Sequence, residues 1–307
     1  MPSSSHPFAH TYIASLSTCN IPNRFPSFEV YLKFMQQYGA VIEAEQAQVL
    51  GQVDGLCFIA PNGDISVAAS GGVDIIQNER GQEIGNMFPQ YSTSAKALEG
   101  ATLAVATTLF KNYDAIGYVT ISFVSFWDPY DSMPKLWAEK ISFGMTPIFG
   151  ALGTFSILNS YDMGLPNPHF PKMVSSEMKH MVFLPFCYHS PLRESRDDFF
   201  FKLCKLHAIG FDVEACSGAL FPLIDTIISG TICLLCCHKT RLKVLEVTNQ
   251  TIQFMLHQFG KDRDVTDHLV SWENLTLISK QLRLTARHEQ KTASADHGRP
   301  AGNLKAN

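Results

Sequence analysis

The twenty residues from Gly218 to Cys237 (GALFPLIDTIISGTICLLCC) carry one charge, Asp225, and two kinds of structure can hold such a run. About twenty apolar residues span a bilayer as a helix, whereas two buried strands joined by a turn hide the same residues inside a soluble sheet. Pro222 removes a backbone donor and clashes within a helix. A carboxylate at mid-membrane costs about 3 kcal/mol even on the mildest scales. The second half of the run is dominated by Ile, Thr and Cys, which suit strands. The run is therefore expected to form two strands meeting near Ile228-Ser229-Gly230, with no membrane span.

Of the 307 residues, 46% are hydrophobic, enough for a packed core, and 17% are charged. That charged fraction is below the usual ~25%, so part of the surface is expected to be covered. Twenty-four Lys and Arg against 28 Asp and Glu leave a net charge of −4, without the basic excess of a nucleic-acid-binding domain. The start of the chain (MPSSSH) lacks the charged and apolar segments of a secretory signal. The eight cysteines are accordingly read as reduced and mostly buried in a cytoplasmic protein. On that reading the sequons at Asn249 and Asn274 have no bearing.

Residues 1–24 are polar and proline-punctuated, and read as a flexible arm. Phe28, Leu32 and Met35 then mark a short helix stopped by Gly39. Val53–Ala60 and Ile65–Ala69 flank Pro61-Asn62-Gly63-Asp64, a hairpin with an Asn-Gly turn. The glycine-rich stretch 71–93 reads as a strand fragment and loop. Leu98, Ala101, Thr102, Val105 and Leu109 give 94–112 a helical period. Tyr118–Trp127 and Leu136–Phe143 read as paired strands around a turn at Asp128-Pro129. Helices are expected over 146–158, 193–207, from a Thr240 cap to Phe259, and over 265–283. A proline-rich loop is expected at 165–171 and a strand at 211–213. Residues 285–307 are small, polar and mixed in charge, and are expected to be a disordered tail.

Two motifs fail on inspection. In Cys233-Leu-Leu-Cys236-Cys237-His238 the histidine is displaced from a haem-attachment position, and no second Cys/His pair completes a zinc set. On a strand, Cys236 and Cys237 face opposite sides. Ile76-Gln77-Asn78-Glu79-Arg80-Gly81 approaches a calmodulin-binding IQ pattern but is one residue short and lacks the basic helical context. There is no phosphate-binding loop, nucleophile elbow or zincin motif.

A series of segments in register resembles the C-terminal, ATP-grasp-like region of the IQ motif-containing protein H family. They are Phe25-Pro26-Ser27-Phe28 leading to Gly39-Ala40-Val41-Ile42-Glu43-Ala44, then Pro61-Asn62-Gly63-Asp64-Ile65-Ser66 and Pro89-Gln90-Tyr91-Ser92. Ile116-Gly117-Tyr118, Phe126-Trp127-Asp128-Pro129 and Leu136-Trp137-Ala138 follow. Ile209-Gly210-Phe211-Asp212-Val213 and Gly218–Asp225 complete the series over roughly residues 25–260. The resemblance implies an α+β fold with mixed or antiparallel sheets flanked by helices. It divides the chain into an ATP-grasp-like region over 25–160, a C-terminal α+β subregion over 161–284 packed on it, and the tail. It also implies a family that sandwiches ATP between two lobes, with magnesium on carboxylates. This chain matches the later lobe and is expected to lack most of the family's N-terminal region, including the IQ motif.

The site positions depart from that pattern. Where the family carries acidic residues and a following basic residue, this chain has Ser122, Lys140, Ser142 and Gly144. Magnesium requires hard anionic oxygens, and a lysine opposes it. Glu139 is expected to face the other side of its strand. The resemblance with these replacements implies a non-catalytic, degenerate module with no catalytic residue, no metal ligand and no cofactor beyond weak ATP contact. Ser122, Lys140 and Ser142 are its vestigial site. The expected role is interaction or regulation in a sperm or ciliary setting, through protein partners. Calmodulin would bind only through an IQ motif absent from this sequence. The alternative is a Mg-ATP-dependent ligase-type enzyme completed by missing sequence or a partner.

Overall fold

The computed structural model describes residues 27–39, 48–77, 83–160, 162–165, 179–188, 192, 197–222, 230–259, 276–287 and 290–291. The chain divides into two compact units, Met1–Gln46 and Ala47–Asn307. In the first, helix α1 (Phe28–Tyr38) starts where the Ser27 hydroxyl accepts the Val30 amide at 3.4 Å, and stops at Gly39 with φ 81°. Those are the start and stop read from the sequence, and both satisfy backbone groups the helix leaves open.

The second unit is built on one nine-stranded antiparallel sheet. Its strands are β1 (Val49–Ile59), β2 (Ile65–Gln77), β3 (Glu83–Phe88), β4 (Gly117–Asp128), β5 (Met133–Phe143), β6 (His180–Tyr188), β7 (Phe211–Asp212), β8 (Ser217–Leu220) and β9 (Thr231–His238), in the order β5-β4-β1-β2-β3-β6-β9-β8-β7. Helices α2 (Ala95–Tyr113), α3 (Pro147–Asn159), α4 (Asp197–Leu206), α5 (Arg241–Phe259) and α6 (276–287) flank it. The β1–β2 hairpin closes as expected, with Ala60 N donating to Asp64 O and Gly63 N to Ala60 O. Its glycine supplies a φ of 87°.

Side chains alternate along each strand, and paired residues share a face. Leu56, Val73, Phe88, Phe183, Leu235 and Cys237 pack on the front, under α3. Val53, Cys57, Ile121 and Leu98 pack on the back under α2, and Met87, Val182, Cys236 and Leu245 on the same back face under α4, α5 and α6. The cysteines divide as the alternation predicts: Cys236 lies in the back core, Cys233 and Cys237 in the front. No helix among the described residues is long and apolar enough to cross a membrane. Instead β8 and β9 pair through Gly218 and Cys237, as the strand reading required; residues 223–229, where the turn was expected, lie outside the described residues.

Two expectations change. The stretch 71–93 is not a fragment and loop, because β2 continues through Gly71 and Gly72 to Gln77 and β3 follows. The charged cluster from Asn78 to Gln82 masked their alternation. The last helix runs over 276–287, past the expected start of the tail. There the Thr285 hydroxyl donates to Gln281 O and Ala286 packs against the back core. The sheet is also continuous across residue 160, since β3 pairs with β6 through Asn86 and Phe183. The proline-rich loop, the N-terminal arm and residues 292–307 fall outside the described residues apart from Leu165.

A buried polar cluster locks the back face. Asp74 is 4% exposed, and its carboxylate accepts from the Tyr91 amide at 2.9 Å, the Ser92 amide at 3.1 Å and the Arg241 guanidinium at 3.2 Å. Arg241 also lies 4.7 Å over the Tyr91 ring, which stacks with His180 on its other contact. Burial first, then the charges of Arg241 and His238, push the His180 imidazole down to about 4. It therefore stands neutral beside the cation. Because the cluster ties the start of α2 to the start of α5 through β2, removing one partner leaves an uncompensated buried charge. Asp74→Ala should lose on the order of 3–5 kcal/mol of unfolding free energy in urea titrations. At Gly72 an added Cβ would lie 1.7 Å from the Asp54 carbonyl oxygen. Gly72→Ala should accordingly cost about 3 kcal/mol or more, or prevent folding, measured the same way.

Candidate functional site

The three positions singled out in the sequence converge. Asp54 on β1 pairs with Ser122 on β4, and Ser122 pairs with Lys140 on β5, so one row crosses three adjacent strands on the front face. The next row is Leu56, Thr120 and Ser142. After Lys140 the register slips, with Phe123 opposite Ala138, so Glu139 is the extra residue of a bulge and does not line the site. Together with Glu83 and Asn86 from β3 and a wall of Ile148, Phe183, Pro185 and Phe186, the polar residues of these rows line an open pocket of about 290 Å³.

Local structure explains the mouth. Pro147 occupies the first helical position of α3, where its missing N–H costs nothing. The Thr146 hydroxyl makes no helix cap and instead meets the Thr120 hydroxyl at 3.1 Å, which ties the helix start to β4. Asn86 is buried and donates its amide to the Glu83 carboxylate at 3.3 Å.

Asp54 is the unusual residue of the set. It is 5% exposed, the Ser122 hydroxyl donates to its carboxylate, and its Oδ1 has no hydrogen-bond partner. The contrast with Asp74 on the neighbouring strand is direct, since Asp74 is equally buried but fully partnered. An unmet buried acceptor costs about 1–3 kcal/mol, and more when charged. Burial is the main force on Asp54 and pushes its carboxyl up to about 6. Glu83 adds to that push, while the Ser122 hydrogen bond and Lys140 oppose it.

Asp54, Glu83 and Asn86 were missed in the sequence, as were the paired threonines. The available signal was a lone acid inside the apolar strand Val53–Ile59, whose cross-strand neighbours no local pattern reveals. A larger open groove, of about 780 Å³, lies between the end of α4, β8 and α5. Its His207 and Gln258 already pair with each other at 3.1 Å, and none of its lining side chains carries an unpartnered buried polar atom.

Residues 9–149 match the family model described as IQCH-like, ATP-grasp. The match supports an IQCH-like ATP-grasp region over this stretch. The chain is also 27% identical over 218 residues to IQ motif-containing protein H of Danio rerio, covering 66% of this chain and 19% of that protein. It thus spans about a fifth of the relative's length. Among solved structures it is similar to a biotin carboxylase–β,γ-ATP complex from Campylobacter jejuni, with TM-score 0.42, 10% identity, and coverage of 74% of this chain and 50% of that one. It is likewise similar to the biotin carboxylase domain of Hydrogenobacter thermophilus 2-oxoglutarate carboxylase, with TM-score 0.46, 10% identity, and coverage of 73% and 50%. The fold expectation holds: an ATP-grasp-like α+β architecture with an antiparallel sheet flanked by helices. Within the ATP-grasp region lie Asp54, Glu83, Asn86, Ser122, Lys140 and Ser142.

Proton counting gives the sign of the pH effect. Between about pH 4 and 6 the folded chain keeps a proton on Asp54 that the unfolded chain has released, so stability falls as pH rises through that window. Asp54→Asn removes this dependence. The variant should be more stable than the parent near neutral pH by on the order of 1–3 kcal/mol, with the gain vanishing toward about pH 4. Urea titrations of both proteins across that range provide the measurement.

Proposed function

We propose that this chain is a non-catalytic, ATP-grasp-derived interaction or regulatory module whose pocket has given up magnesium nucleotide and takes a small polar ligand. The observation that carries the reading is the row Asp54–Ser122–Lys140, in which a lysine stands two strands from the buried carboxylate of this cavity. Magnesium needs several hard anionic oxygens in near-octahedral array. Among the described residues no three Asp, Glu, His or Cys side chains converge closely enough to share an ion. The cavity, about 290 Å³, also sits at the lower end of the ~300–1,000 Å³ of small-molecule sites. Magnesium triphosphate does not fit this donor set.

The setting inferred from the family resemblance is cytoplasmic, sperm-associated or ciliary, with other proteins as partners. Ile76 and Gln77 belong to β2 rather than to a helix, which disfavours calmodulin contact at Ile76–Gly81. A second reading, a Mg-ATP-dependent ligase-type enzyme completed by further sequence or a partner, is favoured by the oxygen donors of Asp54, Glu83 and Asn86 around one cavity.

Thermal unfolding with millimolar Mg-ATP separates the two. A ligand at 100 times its dissociation constant stabilises by about 2.7 kcal/mol, which is a melting shift of several degrees at the ~2–4 °C per kcal/mol of large domains. The module reading expects no such shift. A reproducible shift abolished by EDTA would move the enzyme reading ahead.

A further inference from the structure

The cavity presents two unlike surfaces. Its floor is polar: Lys140, Ser122 and Asp54 in one row, Ser142 and Thr120 in the next. The facing wall is Ile148, Phe183, Pro185 and Phe186, and Phe186 is 67% exposed although it is a large apolar side chain. Asp54 and Lys140 line the same small space, yet among the described residues neither closes an ion pair with the other. The Asp54 Oδ1 acceptor stays unpartnered. An anion, a cation and an apolar wall therefore face one volume, each with capacity left over.

We propose that the cavity binds a small zwitterion, an α-amino acid with an apolar side chain. Its ammonium donates to Asp54 Oδ1, with Glu83 adding negative charge at that end. Its carboxylate accepts from Lys140 Nζ and from the Ser142 hydroxyl, and its side chain lies on Pro185 and Phe186. The alternatives are weaker on charge alone. A free phosphate or a dicarboxylate meets Asp54 and Glu83, and a simple amine leaves Lys140 unanswered beside its own positive charge. Charge-assisted hydrogen bonds reward the ligand that answers both ends, the buried Asp54 and the exposed Lys140. The inference rests on the reading that magnesium nucleotide has left this pocket.

Protonation adds a second signature. The groups facing Asp54 are Ser122 on β4, Lys140 on β5 and Glu83 on β3. Because Asp54 is held neutral up to about pH 6, ammonium binding requires its ionisation. Affinity should rise from about pH 5 to 7 and level off above.

The test is calorimetry and thermal unfolding of the full chain with L-phenylalanine and L-leucine. 3-Phenylpropionate, 2-phenylethylamine, inorganic phosphate and Mg-ATP serve as separate arms. The amino acids are expected to bind and raise the melting temperature, and each half-molecule to bind at least tenfold more weakly. Asp54→Asn and Lys140→Met should each reduce amino-acid binding at least tenfold while retaining a cooperative unfolding transition. Asp54→Asn should also flatten its pH dependence, and if one variant fails to fold the other decides. Absence of amino-acid binding, or binding unchanged in the folded variants, overturns the inference and leaves the module reading intact. A response to phosphate alone also overturns it, assigning an anion site. A Mg-ATP response lost in EDTA overturns the module reading itself.

Discussion

The close approach of β2 to β1 is the constraint on which the site depends. Gly72 brings the second strand so near the Asp54 carbonyl that no side chain can intervene. Gly55, its partner in register, leaves room for Thr102 of α2, whose hydroxyl would lie 2.0 Å from an added Cβ. Two glycines opposite one another thus let the helix settle on the back of the sheet while Asp54 is driven into the front. Any widening there would admit water to Asp54 and relieve the burial that raises its proton affinity.

Sheet faces divide the labour. On the back, both oxygens of the Asp74 carboxylate are answered, by the Tyr91 and Ser92 amides and the Arg241 guanidinium, between two helix starts, an arrangement in which buried charge specifies geometry rather than reactivity. On the front, one strand away, Asp54 has half of its carboxylate unanswered. Equal burial with unequal satisfaction separates the two aspartates. A sheet can keep both because successive residues of a strand face opposite sides, so Asp74 shares the back with its partner Val53 while Asp54 shares the front with Val73.

Much of the architecture was legible in local pattern. The Asn62-Gly63 hairpin, the 3.6-residue stripe of Leu98, Thr102 and Leu109, and the alternating strand Tyr118–Trp127 are short-range signals; the turn, the helix and the strand formed near their expected limits, while the hairpin's second arm ran on to Gln77. The residues Ser122, Lys140 and Ser142 were found through family resemblance, not through their own chemistry. Asp54 was passed over because a single acid in a strand looks like a solvated position until its neighbours are known. β3 was lost for a different reason: its six residues follow a charged, glycine-bounded segment, and its pairing with β6 spans nearly a hundred positions of sequence.

By itself the sequence determined where most segments would be extended or helical, where several would turn, and that the two ends of the apolar run Gly218–Cys237 would be strands. Those outcomes follow from side-chain period and backbone freedom, which act within a few residues. Only the tertiary structure decided that Asp54, Ser122 and Lys140 stand in one row, that Glu139 is displaced by a bulge, and that Asp74 is answered while Asp54 is not. Strand register and desolvation decide such matters. A slip of one residue reverses every face, and the proton affinity of a carboxyl depends on what several distant strands bring around it.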